Sequence, residues 1–149
     1  MAKRLRIKTS RDPAVTITRI GLKREKVVYV AVANKPQKYG RRRSPIVYIG
    51  STKKGVARIA DSAANQAQKH FHNYGLKRLH FYVVTCAPLG GVETWKKLER
   101  ALLLEFKDMF WAVPKGNTVG KNIEWRDELK YFSKSRLRTI LSELSQRSG

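Results

Sequence analysis

KVVYVAVA, the stretch from Lys26 to Ala33, decides the fold. Its β-branched residues and its aromatic suit a pleated, buried surface, so it reads as a strand. Beyond it, NKPQKYGRRRSP (Asn34–Pro45) reads as a basic loop, because Pro36, Gly40 and Pro45 punctuate it. IVYI (Ile46–Ile49) returns to strand and turns at Gly50. Two neighbouring strands joined in this way form an antiparallel hairpin.

A helix is expected over Gly55–His72, where Val56, Ala60, Ala63, Ala67 and Phe71 make one apolar stripe. A third strand follows at Leu79–Thr85. Pro88-Leu89-Gly90-Gly91 then breaks the chain before a long helix, Val92–Trp111, with Trp95, Leu98, Leu102, Phe106 and Met109 on its buried side. Trp95 and Trp111 are both read as core, and Trp125 as packing the tail or stacking on a base. Pro114, Gly116 and Gly120 mark a loop, and two amphipathic helices follow at Trp125–Phe132 and Ser135–Ser145. Upstream, Ala14–Ile20 shows weak period-two patterning within a basic arm.

This order predicts an α+β domain with a small three-stranded, mainly antiparallel sheet flanked by helices. Residues 1–26 form a basic N-terminal extension, 27–122 the domain itself, and 123–149 a helical C-terminal extension.

Charge points to the partner. In 149 residues, Lys and Arg number 32 against 11 Asp and Glu, a net charge of +21. Such an excess repels itself in the folded chain and calls for a polyanion, of which nucleic acid is the usual one. Cys86 is the only cysteine, so no internal disulfide forms and a reducing, cytoplasmic setting of bacterial or phage-like type is expected. No apolar run reaches membrane-spanning length, and the basic N-terminus lacks the apolar core of a signal peptide.

Five elements then stand in order. Tyr29 lies on the first strand, Tyr48-Ile49-Gly50 closes the second, and Arg58 opens the following helix. Glu99 sits in Leu98-Glu99-Arg100-Ala101-Leu102-Leu103, and Asn117 in Pro114-Lys115-Gly116-Asn117. The arrangement resembles the GIY-YIG nuclease family from about Val27 to Asn117, although Val27-Val28 stand where that family has its first glycine and isoleucine. The resemblance implies a divalent-metal-dependent endonuclease, using Mg²⁺ or Mn²⁺, acting on DNA that is expected to be double-stranded. It names Tyr29, Tyr48, Arg58, Glu99 and Asn117 as site residues and Glu99 as the metal ligand. Glu105 is the alternative ligand, disfavoured because its neighbours one turn on are Asp108 and Met109, where Glu99 has Leu102 and Leu103.

These residue types also suit phosphodiester hydrolysis on chemical grounds. Negative charge builds up in the transition state, and a cation with fixed donors stabilises it. Mg²⁺ keeps several waters and needs only one or two protein carboxylates. Arg58 offers a planar fork to the scissile phosphate. In this reading Tyr29 helps activate the attacking water, Tyr48 positions it or the phosphate, and Gly50 permits close approach of the backbone. Lys53, Lys54, Arg41, Arg42, Arg43, His70 and His72 are the nucleic-acid-binding candidates, the arginine run being the sharpest. His70 and His72 are two apart and cannot chelate one metal together on a helix. The competing reading is a non-catalytic basic nucleic-acid-binding protein. RNA as substrate, dimerisation, and a protein partner that supplies specificity all stay open.

Overall fold

The computed structural model describes residues 4–14, 16, 20–118 and 120–147. Three strands form one antiparallel sheet in the order β2-β1-β3: β1 Val27–Tyr39, β2 Arg42–Thr52 and β3 Leu79–Val84. Three α-helices complete the domain, α1 Val56–Tyr74, α2 Thr94–Phe110 and α3 Lys134–Ser145, so the α+β class holds.

β1 is central and covered on both faces, which is why its sequence is an unbroken apolar run and not an alternation. Val28, Val30 and Val32 pack with Leu98, Leu102, Phe106, Leu137 and Leu141 from α2 and α3. Tyr29 packs with Val27 and Ile59 of α1, and Ala31 and Ala33 with Val47 and Leu76.

The expected loop at 34–45 is instead strand. β1 and β2 continue to a two-residue turn at Gly40-Arg41, where Tyr39 pairs with Arg42 and Gly40 has φ 61°. Glycine at the first central position is what a tight hairpin turn of this kind demands. The prolines misled because they sit where the ladder is already broken. The register runs from Val32↔Ile46 to Gln37↔Ser44, so β1 spends five residues where β2 spends two. Pro36 and Pro45 both fall inside this bulge, where a missing N–H costs nothing. Ser44 Oγ accepts from Ile46 N at 3.1 Å and repairs the bulged strand.

The helix stripes also differ from expectation. Of the expected α1 stripe, Val56, Ala63 and Ala67 are half-buried and Ala60 and Phe71 exposed, while Ile59 and His70 are buried and Ser62 and Gln66 half-buried. The inner face of α1 is therefore partly polar, and a hydrophobicity pattern cannot find that part. α2 is buried almost all round from Ala101 to Phe106, because α3 covers the side that sequence assigns to water. Leu137, Leu141 and Leu144 enter the same core as the sheet, so α3 is built into the domain. Ser133 caps α3, accepting from Arg136 N at 3.1 Å. The helix expected at Trp125–Phe132 reduces to a 3₁₀ turn, Glu128–Lys130. The strand expected at Ala14–Ile20 lies largely outside the described residues.

Candidate active site

A cleft of about 390 Å³ opens at the end of β2, between the start of α1 and the first turns of α2. Ser51, Thr52, Lys53 and Lys54 come from β2 and the turn after it, Arg58 from α1, and Trp95 and Lys96 from α2. Glu99 lies one turn beyond Lys96 and touches Ser51. Burial raises the Glu99 carboxyl above its ordinary value, and the Ser51 hydroxyl and N–H and the Lys96 charge offset this only in part. Among the described residues Glu99 has no ion-pair partner, whereas Glu105, Asp108, Asp127 and Glu128 each have one.

Behind the cleft stand the two tyrosines. Their ring centroids are 5.8 Å apart at 34°. A register shift between Ala31↔Tyr48 and Val32↔Ile46 leaves Val47 as an extra residue on β2, so Val47 and Tyr48 pack toward one cluster. Bulges re-aim side chains in this way. Tyr29 is 4% exposed and donates its hydroxyl to Ser62 Oγ on α1 at 3.0 Å. Its oxygen is thus engaged inside the protein, which argues against the water-activating role assigned from sequence. Tyr48 is half-buried, and its phenol is raised well above the ordinary range. Burial is the main cause, followed by the Tyr29 hydroxyl and the Glu99 charge, with Arg58 opposing. It is a neutral donor and not a phenolate. Gly50 is buried, and the space its missing Cβ leaves is filled by both phenols, so it seats the tyrosines instead of admitting a phosphate.

Asn117 is tied to β2. Its Oδ1 accepts from Ile49 N at 3.0 Å, and its Nδ2 donates to Ile49 O at 2.8 Å. The preceding Gly116 N donates to Val47 O at 2.7 Å. These bonds hold the 114–117 loop against the Tyr48-Ile49-Gly50 segment, so Asn117 is a positioning residue.

Glu105, the alternative metal ligand, is not at the cleft. It is fully buried between α2 and α3, where Lys134 Nζ (2.5 Å) and Arg138 Nε (2.8 Å) hold its two oxygens. Both of these cationic partners come from α3, which the local sequence around Glu105 does not reveal. His70 is corrected likewise. It is buried without exposure, hydrogen-bonded to Gln66 Oε1 at 3.1 Å and packed against Gly116, so it cannot reach nucleic acid. Burial lowers its pKa to about 4, with Lys69 adding to the effect. His72 is exposed but sits in the last turn of α1, roughly 20 Å along the helix from Arg58. Arg41, Arg42 and Arg43 occupy the hairpin tip, roughly 30 Å along β2 from Ser51, and do not join the cleft.

Sequence reading missed Ser51, Ser62, Trp95 and Lys96. Two of them carried a usable signal: Trp95 and Lys96 stand four and three positions before Glu99, on the same helical face. Trp95 is half-buried with Lys26 Nζ 4.8 Å from its ring centroid, so it lines the cleft and is not core. No protein-family model, no curated protein and no solved structure matches the chain.

Proposed function

We propose that the chain is a divalent-metal-dependent DNA endonuclease of the GIY-YIG kind, hydrolysing phosphodiester bonds at the cleft beside Glu99. The observation that carries this reading is Glu99 itself, a largely buried carboxyl with no ion pair among the described residues, hydrogen-bonded to Ser51 at the margin of a cleft lined by Lys53, Lys54, Arg58 and Lys96. A buried acid with no direct cationic contact is costly unless something else neutralises it. A hydrated Mg²⁺ or Mn²⁺ fits, since one carboxylate plus waters suffices for such an ion. When bound, the ion supplies Lewis acidity and a more acidic water.

The chain's own residues would do the rest. Arg58 presents two donors to the scissile phosphate, while Lys53, Lys54 and Lys96 neutralise its neighbours. Tyr48, a neutral phenol, donates a hydrogen bond to a phosphate oxygen where charge grows. Ser51 orients the Glu99 carboxylate, Tyr29 and Gly50 seat Tyr48, and Asn117 fixes the strand that carries it.

A second reading, a non-catalytic nucleic-acid binder, draws support from three residues of the family-like elements. Tyr29, Gly50 and Asn117 spend their polar atoms or their space inside the fold. Incubating supercoiled plasmid with and without Mg²⁺ decides between them. The nuclease reading expects nicking that EDTA and Glu99→Gln abolish. Binding without nicking in Mg²⁺ or Mn²⁺ would overturn it.

A further inference from the structure

Trp111 is the only non-glycine with positive φ among the described residues, at φ 58°. It ends α2, with its N–H donating to Lys107 O at 2.7 Å. Glycine ordinarily fills this helix-ending position, because an L side chain is strained there. The core does not account for the tryptophan either, since the residue is 66% exposed. A strained backbone presenting a bare indole points to a use for the indole.

Its surroundings say what that use is. The hairpin tip lies against it: a Cβ on Gly40 would be 4.0 Å from Trp111 Cε3. Arg42 is fixed by donating Nη1 to Met109 O at 3.1 Å, with its guanidinium carbon 5.4 Å from the indole centroid. Across the hairpin Lys38 pairs directly with Arg43, a like-charge pair that costs the sheet stability. Arg41 is exposed beside them, and no Asp or Glu occurs between Lys26 and Ala60. Nothing acidic on the hairpin offsets this cluster.

We infer that Trp111 and the hairpin tip form a nucleic-acid exosite that stacks an unpaired base on the indole, while Arg41, Arg43 and Lys38 hold the flanking phosphates. The ligand is a single-stranded stretch of DNA, because an indole stacks on any base that is free of its pair. This rests on nucleic acid being the ligand of the proposed function, yet lies roughly 30 Å along β2 from the cleft. The exosite would thus engage an unpaired strand well away from the bond that is cut.

Trp111→Gly is the decisive variant, because glycine suits the left-handed backbone and the fold is expected to hold or gain stability. Anisotropy titrations of a labelled oligothymidine and a blunt duplex of equal length measure the effect. The expected result is a loss of about 5–100-fold in affinity for oligothymidine, with duplex affinity unchanged. Oligothymidine should also quench tryptophan fluorescence more strongly in the wild type than in the variant, which keeps Trp95 and Trp125, while Trp111→Phe retains most of the binding. Equal losses on both ligands, or none on oligothymidine, would overturn the exosite. Glu99→Gln should abolish nicking yet bind oligothymidine normally, so failure of the nuclease reading and failure of the exosite are separate results.

Discussion

Replacing Gly50 with alanine adds one carbon where the structure has no room for it. A Cβ there would stand 2.7 Å from Tyr48 Cε1 and 2.9 Å from both Cζ and the hydroxyl oxygen of Tyr29. Relaxed carbon contacts lie near ~3.5–4.0 Å, so the two phenols must yield by about 1 Å between them. The backbone is not the obstacle, because Gly50 is outside the left-handed region. Tyr29 has little freedom to move, since its hydroxyl is bound to Ser62 and its ring lies 6.2 Å from that of Phe81. Tyr48 therefore shifts, away from the position in which the proposed function has it meet substrate. Overpacking of this kind costs about 1–3 kcal/mol, whereas a 1 Å displacement of a catalytic donor costs roughly 10²-fold in rate. Thermal melts and initial rates of Mg²⁺-dependent plasmid nicking separate the two effects. The expected variant folds, melts a few degrees lower, and cuts about a hundred times more slowly. A variant that melts lower but nicks at the wild-type rate per folded molecule would refute the reasoning, and the tyrosine pair would then be packing alone.

Other outcomes follow from the same geometry. Because burial raises the Glu99 carboxyl, protons compete with the metal above the ordinary 4.5; at limiting Mg²⁺ the nicking rate should fall on acidification through a midpoint above that value, and saturating metal should move the midpoint down. His70 is held neutral with its pKa lowered from 6.5 to about 4, so the unfolded chain takes up the proton first. Stability should be lost as pH falls through that window, by up to about 3 kcal/mol, and urea melts of His70→Asn should show a flatter pH dependence. Asn117→Ala removes two buried hydrogen bonds and should cost about 2–3 kcal/mol in urea melts, with metal affinity unchanged. Glu105→Gln should weaken the α2–α3 junction by about 1–3 kcal/mol without altering the metal dependence of nicking; a raised Mg²⁺ requirement would return Glu105 to the cleft.

The sheet was legible because β1 is covered on both faces and therefore spells its burial out in sequence, from Val27 to Ala33. The length of the hairpin was not. Pro36 and Pro45 mark turns in most contexts, and only the paired register reveals that both fall within one bulge. The polar part of the inner face of α1 escaped for a related reason. Ser62, Gln66 and His70 are covered wholly or in part by what they touch, Tyr29 and Gly116, and those contacts are far apart in the chain. Glu99 and Arg58 could be singled out from residue type and spacing, but which glutamate faces solvent depended on α3 packing over Glu105. Trp111, at the end of the expected helix, reads as core from its residue type. Its backbone conformation, invisible in sequence, turns the indole outward.

The bonds from Gly116 and Asn117 to Val47 and Ile49 reach further than the candidate site. They occupy the backbone groups on the outer margin of β2, the row to which a foreign strand would otherwise attach. Two copies of this chain cannot merge their sheets along that stretch. Pairing of two copies through their sheets would fall to the opposite margin, along β3, which hydrogen-bonds only to β1.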